Sequence, residues 1–408
     1  MFSILKNKKE KYYVICKYSP LVMEIEDAEI ALQLSMLDQT ANNVDEEFFR
    51  ILGVKLPTPV HNIKRNVPFK FMEAIVTYDC NLSCSYCWQR TEGFQKEKAM
   101  DMNTFYKAVK LIAEYNKQFD YKGGYRIGYM GGEPLLRSDF IIEAHDMANQ
   151  LLGTCESAIL TNGTFLTDDY CKELVKRNIS VCVSIDGPPA INYRRSSFED
   201  TWRGIQTALD SNIPLSVQST LSMSQIEQNA MVESARFFLE NGIENFTILL
   251  ESPVVNLDED LLYKAYKNLL LVLIEYAEQT KRIPSIIKQF IHNISDSTYS
   301  MRNCFCRFLY PAGIQVDPYG NVFGCEFNRG KYHYGNIIEG IVTLESIPDR
   351  LRDVSKYNDP ICNSCIYSGI CYGYPRLCSL YNKDEICHMK AYYRACFDVL
   401  PERLKQLL

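Results

Sequence analysis

Three cysteines stand together in the segment DCNLSCSYCWQR, Cys80, Cys84 and Cys87, spaced C-x3-C-x2-C. Thiolates are soft ligands that select zinc, copper(I) or iron–sulfur clusters. Structural zinc wants four ligands, commonly supplied as two separated pairs, and no histidine lies near these three. The triple suits instead a cubane cluster in which three irons each take a cysteine and the fourth is left open. An open iron can bind a substrate or cofactor. The competing reading is a chance grouping of structural cysteines.

The chain holds 16 cysteines in 408 residues, and nine of them lie beyond residue 300. Cys304 and Cys306 come first, then Gly320-x4-Cys325, then Cys362-x2-Cys365-x5-Cys371, and finally Cys378 and Cys387. Cys16, Cys155, Cys171 and Cys182 stand singly in hydrophobic segments and read as buried apolar side chains. Cys396, on a C-terminal helical pattern, reads the same way. The first residues, MFSILKNKKEK, turn charged before an apolar signal core of about 7–15 residues can form. The longest apolar run, 269–274, is far short of the ~20 residues that span a bilayer. A cytoplasmic protein is expected, with no membrane partner. In that compartment disulfides are disfavoured, so clustered cysteines point to metal. A zinc ribbon from Cys362, Cys365, Cys371 and Cys378 is the plain alternative for the later set.

The elements that must position these groups follow a regular alternation. Strands are expected at 71–79, 125–130, 157–163, 180–187, 214–222 and 245–252. Helical patterns fall between them, near 102–118, 138–152, 167–178, 198–211 and 224–241, with a further helix at 258–280. Gly242 is placed to cap the 224–241 helix. Alternating strands and helices imply right-handed βαβ units and a parallel sheet. Six such units are fewer than the eight of a closed barrel, so a partial barrel or open sheet is expected. The cysteine triple falls at the carboxyl end of the first strand, where ligands in βα barrels converge. Before it, KYYVICKYSPLVMEI reads as two short strands around a Ser19-Pro20 turn, and a helical pattern and a proline-bearing linker follow. Beyond 296 the periodicity is lost, and that part is expected to depend on metal for its fold. Hydrophobic residues make up 47% and charged residues 23%, which rules out a mainly disordered chain. Lysine and arginine number 44 against 50 acids, a net −6, which argues against a nucleic-acid partner.

At these motifs the chain resembles the radical SAM superfamily. The resemblance implies that Cys80, Cys84 and Cys87 hold a 4Fe–4S cluster whose unique iron chelates S-adenosylmethionine. One-electron cleavage of the sulfonium then gives a 5′-deoxyadenosyl radical that abstracts hydrogen from substrate. Tyr86, just before the third cysteine, fits the family's aromatic residue near the adenine. Met130-Gly131-Gly132-Glu133-Pro134 resembles its GGEP motif, where two glycines allow close backbone approach and Glu133 accepts from the methionine ammonium. Thr161-Asn162-Gly163 and Ser184-Ile185-Asp186-Gly187 resemble its TNG and SIDG segments, with Ser184 and Asp186 suited to the ribose hydroxyls and the methionine carboxylate region.

The later cysteines resemble the SPASM extension of that superfamily, which holds two auxiliary 4Fe–4S clusters. By that resemblance Cys304 or Cys306, or both, with Cys325 and Cys378, serve the nearer cluster, and Cys362, Cys365, Cys371 and Cys387 the farther. The family usually continues C-x5-C-x3-C, yet position 375 is Pro375 and the next cysteine is Cys378. The implied fold class is α/β: an N-terminal extension over 1–68, a partial (β/α)6 radical SAM barrel over 69–290, and a cysteine-rich SPASM domain over 296–400.

The implied function is an oxidoreductase that modifies a ribosomally made precursor peptide, forming a thioether, a carbon–carbon crosslink or a related oxidation. Its electrons would come from an external flavodoxin- or ferredoxin-type donor. An anaerobic sulfatase maturase, which makes formylglycine, is the alternative. Those enzymes carry an aspartate after the Gly-x4-Cys cysteine, where this chain has Glu326, a candidate catalytic base. A non-catalytic iron–sulfur or zinc-binding protein is the distant alternative. The N-terminal strands offer an edge to which a leader peptide can add by main-chain hydrogen bonding.

Overall fold

The computed structural model describes residues 2–6, 11–16, 22–25, 68–87, 89, 98–251, 258–295, 313–324, 333–344, 360–367, 370–371 and 387–407. The chain forms two compact units, each assembled from separated segments, where the sequence division is three consecutive ones. One unit combines Met1–Lys64, Val255–Phe305 and Arg352–Leu408, and the other Arg65–Val254 and Cys306–Leu351.

In the first unit, β1 (Phe2–Lys6), β2 (Tyr12–Cys16) and β3 (Val22–Ile25) make an antiparallel sheet in that order. β2 and β3 are the two expected strands, and β1 is an addition to them. The helical pattern and linker that were expected next lie outside the described residues. Helices of the same unit come from later in the chain and are numbered after those of the second.

The second unit is built around a ten-stranded sheet. Its parallel part runs β4 (Phe71–Thr77), β5 (Tyr125–Gly131), β6 (Cys155–Thr161), β7 (Ile179–Ser184), β8 (Leu215–Leu221) and β9 (Phe246–Leu250), adjacent in that order. The strands carry apolar residues on both faces, as covered parallel strands must; Ala74, Ile75, Ile159, Val183 and Leu221 are fully buried. Between them run α1 (Met102–Asn116), α2 (Ser138–Leu152), α3 (Asp168–Lys176) and α4 (Phe198–Asp210). Asp101 caps α1 by accepting from the Thr104 N–H, and Thr167 caps α3 in the same way.

The expected 224–241 helix is two, α5 (Met223–Glu227) and α6 (Ala230–Glu240). Ser222 and Gln225 close a capping box on α5, and Asn229 then takes a left-handed φ of +67°, which no helix continues through. Gly242 does end α6, with φ +75° and its N–H on the Leu239 carbonyl at 3.0 Å.

The sheet does not stop at β4. Strands β10 (Gly313–Val316), β11 (Asn321–Phe323), β12 (His333–Asn336) and β13 (Ile341–Val342) extend it, with β10 parallel to β4 and the rest antiparallel. Each is too short for a period to emerge in the sequence. Across the β4–β10 seam the Gln315 amide donates to Glu73 Oε2 at 2.6 Å.

Returning to the first unit, α7 (Glu259–Thr280), α8 (Ser285–Ser295), α9 (Pro360–Ser364) and α10 (His388–Leu407) belong with the N-terminal sheet. The Tyr263 hydroxyl on α7 donates to Asp398 on α10 at 2.6 Å, and the Tyr13 ring of β2 lies 5.2 Å from that of Phe397. The N-terminal strands are thus packed on the C-terminal helix. Among the described residues no helix is long and apolar enough to cross a membrane.

Candidate functional site

The carboxyl ends of β4 to β9 lie side by side by sheet order, and the cysteine segment leaves from the first of them. β4 ends at Thr77, and Cys80, Cys84 and Cys87 follow on an irregular segment, Cys80 exposed and the other two half-buried. The glycine pair after β5 is what lets that segment start where it does. A Cβ on Gly131 would sit 2.1 Å from the Thr77 carbonyl oxygen, and one on Gly132 would sit 2.2 Å from that of Asp79. Only glycine fits at either place. The close approach is therefore to the backbone that leads into the cysteines, fixed by Gly132 N–H to Thr77 O at 2.8 Å and Glu133 N–H to Asp79 O at 2.7 Å.

Glu133 is fully buried. Its Oε1 accepts from the Thr161 hydroxyl at 2.6 Å and the Leu135 N–H at 2.9 Å, and its Oε2 from the Asn162 N–H at 2.7 Å. Burial pushes its pKa up, against the pull of these donors. Three donors fill three of a carboxylate's roughly four acceptor sites, which leaves room on Oε2 for one more cationic donor. Asn162 spans to the cysteine segment: its amide donates to Asn81 Oδ1 at 2.9 Å and lies 3.9 Å from Cys80 Sγ. GGEP, TNG and the first cysteine are one hydrogen-bonded patch.

A second patch forms after β7. Asp186 is fully buried, and its Oδ2 accepts from the Tyr86 hydroxyl at 2.6 Å. Its Oδ1 accepts from Arg195 Nε and the Thr220 N–H, both at 3.0 Å. The carboxylate expected to meet a ribose or a methionine carboxylate thus holds Tyr86 and Arg195 in place. Ser184, half-buried at the end of β7, keeps a hydroxyl with no hydrogen bond among the described residues. Arg194 and Arg195 lie 4.5 and 5.2 Å from the Tyr86 ring centroid. Arg194 forks onto Glu251 at 2.6 and 2.8 Å. The segment 194–196 also receives the cysteine backbone, Ser85 N–H on Arg194 O at 3.1 Å and Ser83 N–H on Ser196 Oγ at 3.2 Å.

Without metal, the electrostatics work against thiolate. Burial raises the Cys80 pKa, the Leu82 N–H pulls it back, and Glu133, Cys84 and Cys87 raise it further through their charges. Burial also raises Cys84, while Arg195 pulls it down. The thiols therefore feel one another, with a buried cation beside them to offset the charge of a thiolate cluster. Among the described residues no three ligating side chains converge as they would around a single ion. Three thiols on one short segment can each take a different iron of a 4Fe–4S cluster.

The later cysteines are described only in part. Cys304, Cys306, Cys325, Cys378 and Glu326 lie outside the described residues. Cys362 is buried on α9, and Cys365, Cys371 and Cys387 are half-buried. Burial raises the Cys387 thiol, the Met389 N–H pulls it back, and Cys365 raises it further through its charge. Cys155, Cys171 and Cys396 are buried, as expected of lone apolar cysteines, and Cys182 is half-buried.

Sequence reasoning passed over Arg194, Arg195, Thr220 and Glu251. The signal available was a pair of arginines eight and nine residues beyond a strand-end aspartate. Glu251 offers no local pattern, since only the sheet order brings its strand near.

Residues 74–238 match the family model of the Radical SAM superfamily. An uncharacterized protein of Methanocaldococcus jannaschii is 24% identical over 271 residues, 64% of this chain and 86% of its own length. The radical SAM cyclopropyl synthase TigE of Paramaledivibacter caminithermalis is 23% identical over 342 residues, 77% of this chain and 69% of its own. Among solved structures, native anSMEcpe with bound AdoMet and Cp18Cys peptide matches with a TM-score of 0.69 at 17% identity, covering 84% of this chain and 99% of that one. That likeness is one of fold.

Proposed function

We propose that the chain, a radical SAM enzyme, modifies a ribosomally made peptide by oxidative radical chemistry, forming a thioether, a carbon–carbon crosslink or a related bond. The observation that carries this reading is the joining of three thiols, buried Glu133 and the Asp186–Arg195 pair by hydrogen bonds and charge at the strand ends of one sheet. The family implies S-adenosylmethionine and a 4Fe–4S cluster, whose chemistry when bound is one-electron cleavage to a radical that removes hydrogen from substrate. In this reading Cys80, Cys84 and Cys87 hold the cluster. Glu133 Oε2 takes the methionine ammonium, Tyr86 borders the adenine, and the Ser184 hydroxyl meets the ribose or carboxylate. Asp186 orients Tyr86 and Arg195.

A peptide substrate is supported by the fold match to a structure that holds one. Two auxiliary clusters on the later cysteines and an external flavodoxin- or ferredoxin-type donor complete the proposal, with a leader peptide adding to an edge of the β1–β3 sheet. The second reading, anaerobic sulfatase maturation, is favoured by the same fold match.

The test is anaerobic reconstitution, followed by assay with reductant, SAM and two peptide sets. One set comprises short precursors encoded near this chain, and the other carries a sulfatase cysteine or serine motif. About twelve irons, three clusters of four, with 5′-deoxyadenosine and an oxidised precursor, are expected. Formylglycine in the second set alone turns the assignment to the maturase, and bound zinc without SAM cleavage ends both.

A further inference from the structure

The three-cysteine segment is held from one side by a chain of contacts that starts at the far edge of the parallel sheet. Glu251 directly follows β9, and its N–H on the Leu221 carbonyl at 2.9 Å continues the ladder to β8, so its backbone place is set. Its two carboxylate oxygens take the two terminal nitrogens of Arg194, a fork-to-fork pair that fixes the guanidinium plane as well as its position. Arg194 Nη1 is also 3.3 Å from Gln225 Oε1. The pair is shielded, with 14% of the Arg194 side chain and 27% of the Glu251 side chain exposed. An ion pair so placed is screened less than a surface one. The guanidinium also meets the ring of Tyr86, the residue between Cys84 and Cys87, at 4.5 Å from its centroid. The same arginine's carbonyl receives the Ser85 N–H. One residue thus grips the cysteine segment by its side chain and by its backbone, and Glu251 is what holds that residue.

We propose that Glu251 and Arg194 are positioning residues for the cofactor site: Glu251 fixes Arg194, and Arg194 fixes Tyr86 and the segment between Cys84 and Cys87 in the geometry the cluster requires. This rests on the radical SAM reading of the three cysteines. Lysine cannot replace Arg194, because a point charge cannot make the two-pronged fork to Glu251 while lying over the Tyr86 ring. The last parallel strand thereby takes part in the site without supplying a ligand.

Two measurements on the full chain test this. Before reconstitution, amide hydrogen exchange is compared at Ser83 and Ser85 and in β5, which serves as the internal reference. Glu251→Gln and Arg194→Lys should each speed exchange at the two serines about tenfold relative to β5, and Glu251→Asp should recover part of the protection. After reconstitution, the same two variants should raise the KM for SAM about tenfold while kcat stays within about threefold, the split expected when a binding geometry is loosened. Unchanged exchange and unchanged KM in Glu251→Gln would overturn the proposal. So would exchange that rises equally in β5, because the pair would then be a general structural tie. If the parent chain cleaves no SAM, the radical reading fails, and the exchange result still decides whether Glu251 holds the segment.

Discussion

Cys84 and Cys87 hang from a segment tied by side chains that follow two different strands, β6 and β7, whereas Cys362, Cys365 and Cys387 lie in or beside two helices. Around the first group, Asn81, Ser83, Ser85 and Tyr86 each make a hydrogen bond to a residue far away in sequence. Around the second, Cys365 N–H reaches Cys362 O and Cys371 N–H reaches Tyr367 O nearby, and the Tyr393 hydroxyl donates to Ile370 O from α10 at 3.1 Å. The frame of the first site is made by the chain's own hydrogen bonds. For the second, the proposed auxiliary clusters would add order through ligation, as in domains whose metal contributes directly to folding.

The sharpest break is chemical. Cys84→Ala should lower SAM cleavage at least about 1000-fold, which corresponds to about 4 kcal/mol of lost barrier reduction, while thermal unfolding of the barrel unit moves little. A clear drop in melting temperature would mean that the first site is no more preorganised than the second. The reverse pattern is expected for Cys362→Ala with Cys365→Ala. That variant should lose about four irons and melt at a lower temperature, with uncoupled 5′-deoxyadenosine formation retained and modified peptide absent. Full modification by a stable variant would remove the later cysteines from the reaction.

How much of this could be read beforehand follows the same divide. The six parallel strands and the helices between them were legible because each repeats one face for several turns or alternations, and Cys80, Glu133, Asn162 and Asp186 were legible from their strand-end places. β10–β13 were not, since strands of two to four residues carry no period. The break at Asn229 was hidden inside a good helical pattern, because its cause is one left-handed residue. Arg195 and Glu251 escaped for another reason. Their partners, Asp186 and Arg194, lie nine and 57 positions away, and only the sheet order joins them.

A smaller effect probes the frame beneath the first site. Asp186 is buried and opposes Arg195, whose side chain is 10% exposed. Burial works against the Arg195 charge, and Asp186 restores it, so that the group stays protonated. Asp186→Asn would leave that cation without its counter-charge, at a cost of about 3 kcal/mol. Urea unfolding of the metal-free chain measures it. A loss under about 0.5 kcal/mol would show that the frame tolerates an unpaired charge, and that the preorganisation drawn from it is weak.

The smallest effect asks whether the stability of the sheet unit depends on bound metal. His145 on α2 is buried, with Nδ1 2.8 Å from the Ser157 hydroxyl on β6 and Nε2 3.0 Å from the Asn149 amide. The amide donates, so Nε2 accepts and the ring is held neutral with its proton on Nδ1. Burial lowers the pKa below 6.5; Asp146 pulls it back up and Arg177 pushes it down. The unfolded chain therefore binds a proton on this ring at a pH where the folded chain does not. Stability must then fall as pH drops through 6.5 toward the folded value, and it is complete above 6.5. Every pH unit that separates the folded from the unfolded value corresponds to about 1.4 kcal/mol. In the metal-free chain, the stability lost between pH 7.5 and 5.5 should be larger in the parent than in His145→Gln. Equal losses in the two would mean that the α2–β6 contact opens before the barrel unfolds, and the self-sufficiency claimed for the first site would have to be drawn more narrowly, around the strand ends alone.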